Sequence, residues 1–385
     1  MDFELTDEQR ALSEAARAYA TSLSQQAREI ERSNEPPGRD LKLALGAQGF
    51  LGVNLAPEYS GLGLGSLEAL LILEEFAKIH PAIAFPVFES SVGPVKAIER
   101  FGTEALKRRV IPEVCRGEKV IAIAMSEPDA GSALTDLKTR GEIRGDRIIL
   151  TGGKRWCSGG GRADGYVVYC KLSDAPGAKG IGAVYIDAGV AGLSFGEREL
   201  LMGWRGIYSA DMFFDEVEIP LENLIVPAGG FSKMMEAFDL ERCGNATMSL
   251  GIAAGAFDEV LAYVQERRAF GKPLIEFQAV QLKIAEMAMR IEAMRLLIHR
   301  AARRADTGFP SVADSSIAKC FANEGVREVT GQALQLMGGY GYSKEFQMEQ
   351  RFRDGWGWGI AGGAIDIQKV NIAASLVGRR FNQRA

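Results

Sequence analysis

The chain has 385 residues, of which 47% are hydrophobic and 25% charged, and its formal net charge is −5. This length is too great for one compact core and predicts two or three packed domains, and the composition is typical of a soluble globular protein. The negative charge disfavours a nucleic-acid binder, which needs a concentrated basic face. No apolar run reaches the roughly 18 residues that predict a membrane span.

The cysteine and histidine content bounds the chemistry further. The five cysteines are odd in number, far apart and without Cys-x-x-Cys spacing, which fits neither a disulfide framework nor a zinc site and indicates a reducing compartment. The only histidines are His80 and His299, so we expect no metal site. The acidic N-terminal sequence is unlike a secretory or mitochondrial leader, and we therefore expect a cytoplasmic protein.

The first part of the chain, residues 1–118, is predicted to be helical. Thr6 is a candidate N-cap, and Gln9 three positions later completes a capping-box pattern. A further helix is predicted to begin at Ser66, where leucines follow a helical stripe. The glycine-rich segment 60–65 follows no predicted strand, so a flexible turn is favoured over a dinucleotide-binding loop.

The pattern changes in residues 119–228, where short β-branched and aromatic runs alternate with Gly, Pro and Asp. The runs are 147–150, 166–170, 183–186 and 212–214, and a turn at 144–147 precedes the first. Several short strands at this spacing predict a small antiparallel sandwich or barrel. Helical periodicity returns from about 231, with few breakers until 307–310, so 229–385 are predicted to form a helical bundle.

Five separated segments carry the functional signal: 124–133, 154–160, 266–278, 334–342 and 353–368. In this order they resemble the acyl-CoA dehydrogenase family over essentially the whole chain. The resemblance implies that family's fold, an N-terminal helical domain, a middle β domain and a C-terminal four-helix bundle. It also implies non-covalent FAD, an acyl-CoA substrate, an electron-transfer flavoprotein as electron acceptor and a homo-oligomer built as a dimer of dimers.

The resemblance assigns individual residues to the flavin. Met125 and Ser126 are expected at the isoalloxazine ring, Trp156 beside it and the Ser158 hydroxyl near N5. An arginine can make bidentate bonds to a pyrophosphate, and the resemblance implies that Arg267 binds the adenine-diphosphate half of FAD across a subunit boundary. Taken alone, these residues are better explained as a turn, a buried tryptophan and a solvated cation. The other residues assigned to the cofactor are Phe270, Gln278, Gln335, Gly338, Gly339, Ala364 and Asp366.

The catalytic base is the least conventional feature. Many family members carry it in a Tyr-Glu pair, where this chain has Ala361 and Gly362. A second carboxylate, Glu241, shares a helical face with mostly apolar residues, and such surroundings raise a carboxyl pKa toward the value a general base needs. From the residues alone, a structural acid paired to another helix is equally good. The members of this face are Met234, Phe238, Glu241, Asn245 and Met248.

The resemblance favours Glu241 as the base. Isovaleryl-CoA and long-chain acyl-CoA dehydrogenases carry their base at the matching position, with a small residue where Gly362 stands. This implies that Glu241 removes the substrate α-proton while the β-hydrogen leaves as hydride to flavin N5. The same resemblance implies that Ser132, Asp239 and Arg242 bind the CoA portion. Arg242 directly follows Glu241, and adjacent residues of a helix are not expected to face the same way.

The sequence also constrains the acyl group. The small residues Ala361, Gly362 and Gly363 predict a void beside the reacting bond, which a branched, cyclic or aryl-substituted chain would fill best. Glutaryl-CoA is disfavoured, because 82–85 lacks the carboxylate-binding arginine of glutaryl-CoA dehydrogenases. Glu89 is expected to be either a solvated helix residue or a partner for a polar or cationic substituent.

Two alternatives to a dehydrogenase stay open. The same fold could run another reaction, as in a crotonobetainyl-CoA reductase, an acyl-CoA oxidase or a sulfinate-eliminating enzyme. Alternatively, the chain could be an inactive partner subunit of a heteromeric dehydrogenase. The presence of Glu241 together with the flavin motifs disfavours this second alternative.

Overall fold

The structure, a computed structural model, describes residues 4–305 and 308–382. Helices α1–α7 come first, followed by a β domain and then a helical bundle, which confirms the predicted fold class. The first helices are α1 Asp7–Ser22, α2 Ser24–Ser33, α3 Arg39–Ala47, α4 Ser66–Ile79, α5 Pro81–Ser91, α6 Val95–Phe101 and α7 Glu104–Cys115.

Local sequence explains how these helices begin and where they lie. The Thr6 hydroxyl accepts the backbone N–H of Gln9 at 3.2 Å, and the Gln9 side chain accepts the N–H of Thr6 at 3.0 Å, which confirms the capping box. Helix α4 begins at Ser66 and packs on the long helix Phe231–Glu266. Every residue of α5 is buried, so this helix runs through the interior and has no solvated face.

The β domain is one mixed sheet with strand order β6-β7-β3-β2-β4-β5-β8. The four predicted runs lie in β3, β4, β5 and β7, and Gly145 (φ +60°) makes the turn between β2 and β3. The prediction of a wholly antiparallel domain is wrong in two places, since β1 and β2 each pair parallel with β4. Strand β1 enters directly from the helical domain instead of through a hairpin. The strands are β1 Ile121–Ala124, β2 Arg140–Arg144, β3 Arg147–Ser158, β4 Gly165–Lys171, β5 Ile181–Asp187, β6 Leu193–Phe195, β7 Ser209–Pro220 and β8 Leu224–Val226.

The remaining helices form the C-terminal bundle. Helical periodicity was expected to continue past 266, but a short hairpin intervenes, since Gly271 has φ +84° and Pro273 cannot continue a helix. The segment 307–310 lies partly outside the described residues. The elements are α8 Phe231–Glu266, β9 Arg268–Ala269, β10 Lys272–Pro273, α9 Gln278–Arg303, α10 Val312–Met337, α11 Gly339–Tyr342, α12 Met348–Asp354 and α13 Ile365–Val377.

Helix α8 is the central element of the fold. It is long and apolar enough to cross a membrane by length and composition, but here it packs against α4, α9 and α10. Every residue from 237 to 256 is buried. A polar side chain in this stretch is therefore placed in the protein interior.

Candidate active site

A cavity of about 1650 Å³ lies between the sheet, α5, α8 and the segment 352–381. Ordinary ligand pockets measure roughly 300–1,000 Å³, so this one has room for more than a single small molecule. Many of the predicted site residues line it. They are Met125, Ser126, Ser132, Trp156, Ser158, Glu241, Arg242, Ala361, Gly362 and Ala364.

The two motifs of the β domain are joined on the cavity wall by a buried ion pair. The Lys154 ammonium donates to Glu127 Oε1 at 2.8 Å and to the Met125 carbonyl at 2.9 Å, and the N–H of Arg155 donates to the Ser126 carbonyl at 3.0 Å. Both charged side chains are buried. Sequence reasoning missed this pair, because its two members lie 27 positions apart in different segments.

Trp156 has an unusual backbone conformation on the same wall. Its φ is +62°, at an irregularity between Lys154 and Cys157 where β3 slips against β7. A positive φ is strained for a bulky residue, and bulges re-aim side chains. The result is an indole that is 54% exposed at the cavity, with the Arg155 guanidinium 4.3 Å from its ring centroid.

Glu241 lies on the opposite wall, on the buried stretch of α8. Its side chain is only 7% exposed, and its carboxyl receives no hydrogen bond from any residue that the structure describes. Burial raises the pKa of Glu241 to about 8, although Lys319 and Arg242 partly oppose the shift. The predicted face is confirmed in part, since Phe238 and Asn245 also line the cavity.

Arg242 and Asp239 depart from expectation. Arg242 also lines the cavity, because a long side chain can bend toward a wall that its Cα–Cβ bond does not point at. It donates to Asp239 one turn back, and Asp239 also accepts the Ser315 hydroxyl at 2.7 Å. Asp239 is not among the lining residues. Both bonds are accepted by Oδ1, and the contact of Asp239 with CoA stays a prediction.

Lys319 of α10 is a second site residue that the sequence reasoning missed. Its fully buried ammonium donates to the carbonyls of Trp358 at 3.1 Å, Ala361 at 2.6 Å and Gly362 at 3.0 Å. Burial lowers the pKa of Lys319 to about 7. A lysine in the apolar run 317–322 of a long helix was the available signal.

The space beside Gly362 differs from the predicted void. Gly362 has φ +63°, and a Cβ built on it would lie 2.8 Å from Asn245 Nδ2 and 3.2 Å from Lys319 Nζ. These polar groups fill the volume on that side, which corrects the expectation that it is empty. The neighbouring Ala361 and Gly363 still line the cavity.

Glu89 corrects the expectation of a solvated helix residue. It lies on α5, is 4% exposed and lines the cavity, and its Oε2 has no hydrogen-bond partner within residues 4–305 and 308–382. Burial, and secondarily the nearby Glu241 carboxylate, raise the pKa of Glu89 well above its ordinary value. The cause is the position of α5, which other elements surround on all sides.

The other predicted cofactor residues lie outside the cavity lining. Arg267 is exposed, with its guanidinium 5.5 Å from the Tyr340 ring centroid, and Phe270 is 97% exposed with φ +50°. The side chains predicted for the adenine-diphosphate half are thus on the surface of the single chain. The further exposed members are Gln278, Gln335, Gly338, Gly339 and Asp366.

Comparison with known proteins identifies the family. The chain matches the family models for the acyl-CoA dehydrogenase N-terminal domain over 6–118, the middle domain over 122–217 and the C-terminal domain over 228–377. It is 36% identical to a 3-sulfinopropanoyl-CoA desulfinase of Paraburkholderia xenovorans, over 99% of each chain. It is also 36% identical to an NADH-dependent acryloyl-CoA reductase of Anaerotignum propionicum, over 98% of this chain and 97% of the relative.

The fold of the butyryl-CoA dehydrogenase of Megasphaera elsdenii matches with a TM-score of 0.94 and 31% identity, over 98% of this chain and all of that one. The chain belongs to the acyl-CoA dehydrogenase family, whose cofactor is FAD. The residues present fit that cofactor. The cavity is large, an exposed indole stands on a strained backbone at its wall, and Lys154 fixes the adjacent Met125 carbonyl.

Proposed function

We propose that the protein is an FAD-dependent acyl-CoA dehydrogenase that introduces an α,β double bond, with Glu241 as the base. One observation carries the proposal: the Glu241 carboxyl faces a large cavity without a hydrogen-bond partner among the described residues, and its pKa is raised to about 8. A carboxylate of this basicity is matched to proton abstraction near neutral pH. The usual Tyr-Glu position holds Ala361 and Gly362 instead.

Each wall has a distinct task in this proposal. FAD, when bound, supplies the acceptor for the hydride that leaves the β-carbon. Met125, Ser126, Trp156 and Ser158 hold the flavin ring, while Glu241 takes the α-proton onto a carboxylate oxygen. Burial on α8 excludes water from that oxygen and keeps the carboxylate basic.

Further binding groups complete the proposed enzyme. Ser132 and Arg242 contact the CoA portion at the cavity, and Arg267 with Gly338 and Gly339 binds the adenine-diphosphate half of the FAD of a second copy. Their exposure supports this, because a group that acts across a subunit boundary must lie on the surface of its own chain. The remaining residues of the proposed cofactor site are Phe270, Gln278, Gln335, Ala364 and Asp366. We infer a homotetramer in the cytoplasm that passes electrons to an electron-transfer flavoprotein.

The acyl group in this proposal is branched, cyclic or aryl-substituted. Support comes from the small Ala361 and Gly363 together with the aromatic residues that line the same cavity. The Phe88 ring lies 5.2 Å from that of Trp358, and Phe85 stacks on Phe88 at 6.1 Å. Bulky apolar groups pack well against such a surface.

A second candidate function is the reverse reaction, reduction of an enoyl-CoA. The observation in its favour is the pKa of Glu241 of about 8, because a carboxyl that is largely protonated at pH 7 can also donate a proton to the α-carbon. Elimination of a sulfinate is less well supported. Of the cations that line the cavity, Lys154, Arg155, Arg242 and Arg353 each bind a carboxylate, so none of these four is committed to an anionic acyl end.

The test is anaerobic mixing of the purified flavoprotein with a panel of linear, branched and ring-bearing acyl-CoAs while flavin absorbance is followed. Bleaching by a saturated thioester is expected from the wild type and not from Glu241→Gln. Oxidation of reduced enzyme by enoyl-CoA, with no bleaching by saturated thioesters, would support the reductase instead. Release of sulfite from 3-sulfinopropanoyl-CoA would overturn both.

A further inference from the structure

One set of buried polar atoms is left unexplained by proton abstraction and flavin binding. Among the residues that the structure describes, four cavity-lining side chains each have a buried atom without a hydrogen-bond partner: Glu89 Oε2, Asn245 Oδ1, Trp358 Nε1 and Arg242 Nε, the last on a guanidinium that already pairs with Asp239. A buried polar group left unpaired costs about 1–3 kcal/mol, and such groups in a native protein need an explanation. Their shared cavity indicates that a ligand supplies the missing partners.

Of these side chains, Glu89, Asn245 and Trp358 lie around one part of the cavity. The Trp358 ring packs on that of Phe88, the residue before Glu89. The Asn245 amide donates to the backbone carbonyl of Glu241 at 2.9 Å, and the Glu241 carboxylate is close enough to raise the pKa of Glu89. The unpaired atoms therefore lie beside the base and the apolar wall, where the proposed acyl group binds.

The chemistry of these atoms narrows the ligand. Trp358 Nε1–H can only donate, so it needs an acceptor, and Asn245 Oδ1 can only accept, so it needs a donor. The Glu89 carboxyl can accept a hydrogen bond, and when protonated it can also donate one. A sulfinate or carboxylate would meet the buried carboxyls of Glu89 and Glu241, while the charge of Arg242 is already paired with Asp239. A quaternary ammonium has neither an acceptor nor an N–H or O–H donor. A hydroxyl group both donates and accepts.

We propose that this subsite, formed by Glu89, Asn245 and Trp358, recognises a hydroxyl group on the acyl chain of the substrate. The inference rests on the proposed function, because it assumes that an acyl-CoA enters the cavity. Removal of hydrogen from Cα and Cβ requires a β-carbon that still carries hydrogen and leaves a conjugated enoyl thioester. The hydroxyl therefore belongs on the γ-carbon, farther along the chain or on an attached ring.

The experiment compares matched acyl-CoAs in which one terminal branch methyl is replaced by a hydroxyl or an ammonium, in chain lengths from pentanoyl to octanoyl. Because an unmade bond in a site built for a hydroxyl is penalised, we expect kcat/KM to favour the hydroxyl over the methyl by about tenfold or more at one chain length, on the order of 1.4 kcal/mol. Glu89→Met should reverse that preference, and Glu89→Gln should retain part of it. FAD content and melting temperature verify that both variants fold.

Preference for the methyl compound at every length would overturn the proposal, as would an unchanged hydroxyl-to-methyl ratio in Glu89→Met. A preference for the ammonium would also overturn it, and would assign a charged Glu89 that selects cations. Calorimetric binding of the same compounds to Glu241→Gln separates the two proposals. Tighter binding of the hydroxyl compound to Glu241→Gln would support the subsite even if Glu241 is not the base. Equal or weaker binding of the hydroxyl compound would overturn the subsite and leave the assignment of the base untouched.

Discussion

Two walls of the cavity each hold a buried glutamate whose charge is influenced by a buried lysine, and the two lysines are bonded differently. On the β-domain wall, the Lys154 ammonium binds Glu127 at 2.8 Å, and this attraction, with hydrogen bonds from Thr139 and Lys138, lowers the pKa of Glu127 despite burial. Near the α8 wall, the Lys319 ammonium on α10 donates to three backbone carbonyls, and burial raises the pKa of Glu241 to about 8.

The difference shows how one cavity holds a structural acid and a candidate base. A carboxylate with a bonded cation stays charged and fixes the segments around it, whereas a buried carboxyl without one becomes basic. Lys154 bonds directly to Glu127, whereas Lys319 donates to backbone carbonyls and leaves Glu241 without a bonded cation.

The largest effect is expected from Glu241→Gln, which keeps the side-chain shape but cannot accept the proton. Flavin reduction by substrate should slow by on the order of 10²–10⁴-fold or more, as loss of a general base does. Stopped-flow absorbance measures it. The matched control is Glu236→Gln on the exposed side of the same helix, which should reduce flavin at the wild-type rate.

The next largest effect is on folding and comes from the β-domain wall. Lys154→Met leaves Glu127 buried without its cation, and breaking one side of a buried ion pair costs about 3–5 kcal/mol. We expect a markedly lower melting temperature and weaker FAD retention. Lys138→Met removes an exposed lysine from its pair with Asp129 and should change little; equal losses in both variants would argue against the buried pair as the cause.

The wild-type pH profile should follow Glu241. Its pKa is raised to about 8, so the reactive carboxylate dominates above that pH and is lost as the pH falls. The rate constant of flavin reduction should therefore decline tenfold per pH unit well below 8 and level off above it. A plateau that extends down to pH 6 would mean that the reacting carboxylate is not the buried one.

The smallest effect is expected from Lys319 on α10. The charge of Lys319 opposes the upward shift of the Glu241 pKa, so Lys319→Met should move the midpoint of the rate profile to higher pH. It should also loosen the 358–362 backbone and lower the plateau. Lys369→Met, an exposed lysine paired with Glu324, should leave the midpoint in place, and a downward shift in Lys319→Met would contradict the proposed coupling.

The sequence predicted what local periodicity and separated motifs determine. The capping box at Thr6, the strand runs and the Glu241 face of α8 follow from residue spacing along one element. What surrounds an element was harder to predict. For Glu89, a position in solvent was one of two expectations. The segment 81–91, however, has no polar stripe, which in a helix means burial on every side.

The site features that the sequence did not predict depend on contacts between distant segments. The bonds from Lys319 to 358–362 and from Lys154 to Glu127 join residues about 27–43 positions apart, so spacing along one element cannot reveal them. The occupied space beside Gly362 follows from the same kind of contact, since α8 and α10 each contribute a polar side chain. The roles of Arg267 and Phe270 stay predictions, because they concern a second copy of the chain.

The central claim is that Glu241 removes the substrate α-proton. The most direct measurement is exchange of that proton with deuterated solvent, followed by NMR on a thioester analogue that cannot lose its β-hydrogen. The account predicts that the wild-type flavoprotein catalyses exchange, with a rate that rises toward pH 8, and that Glu241→Gln with full FAD content does not. Exchange by Glu241→Gln at the wild-type rate would contradict the account and place the base elsewhere.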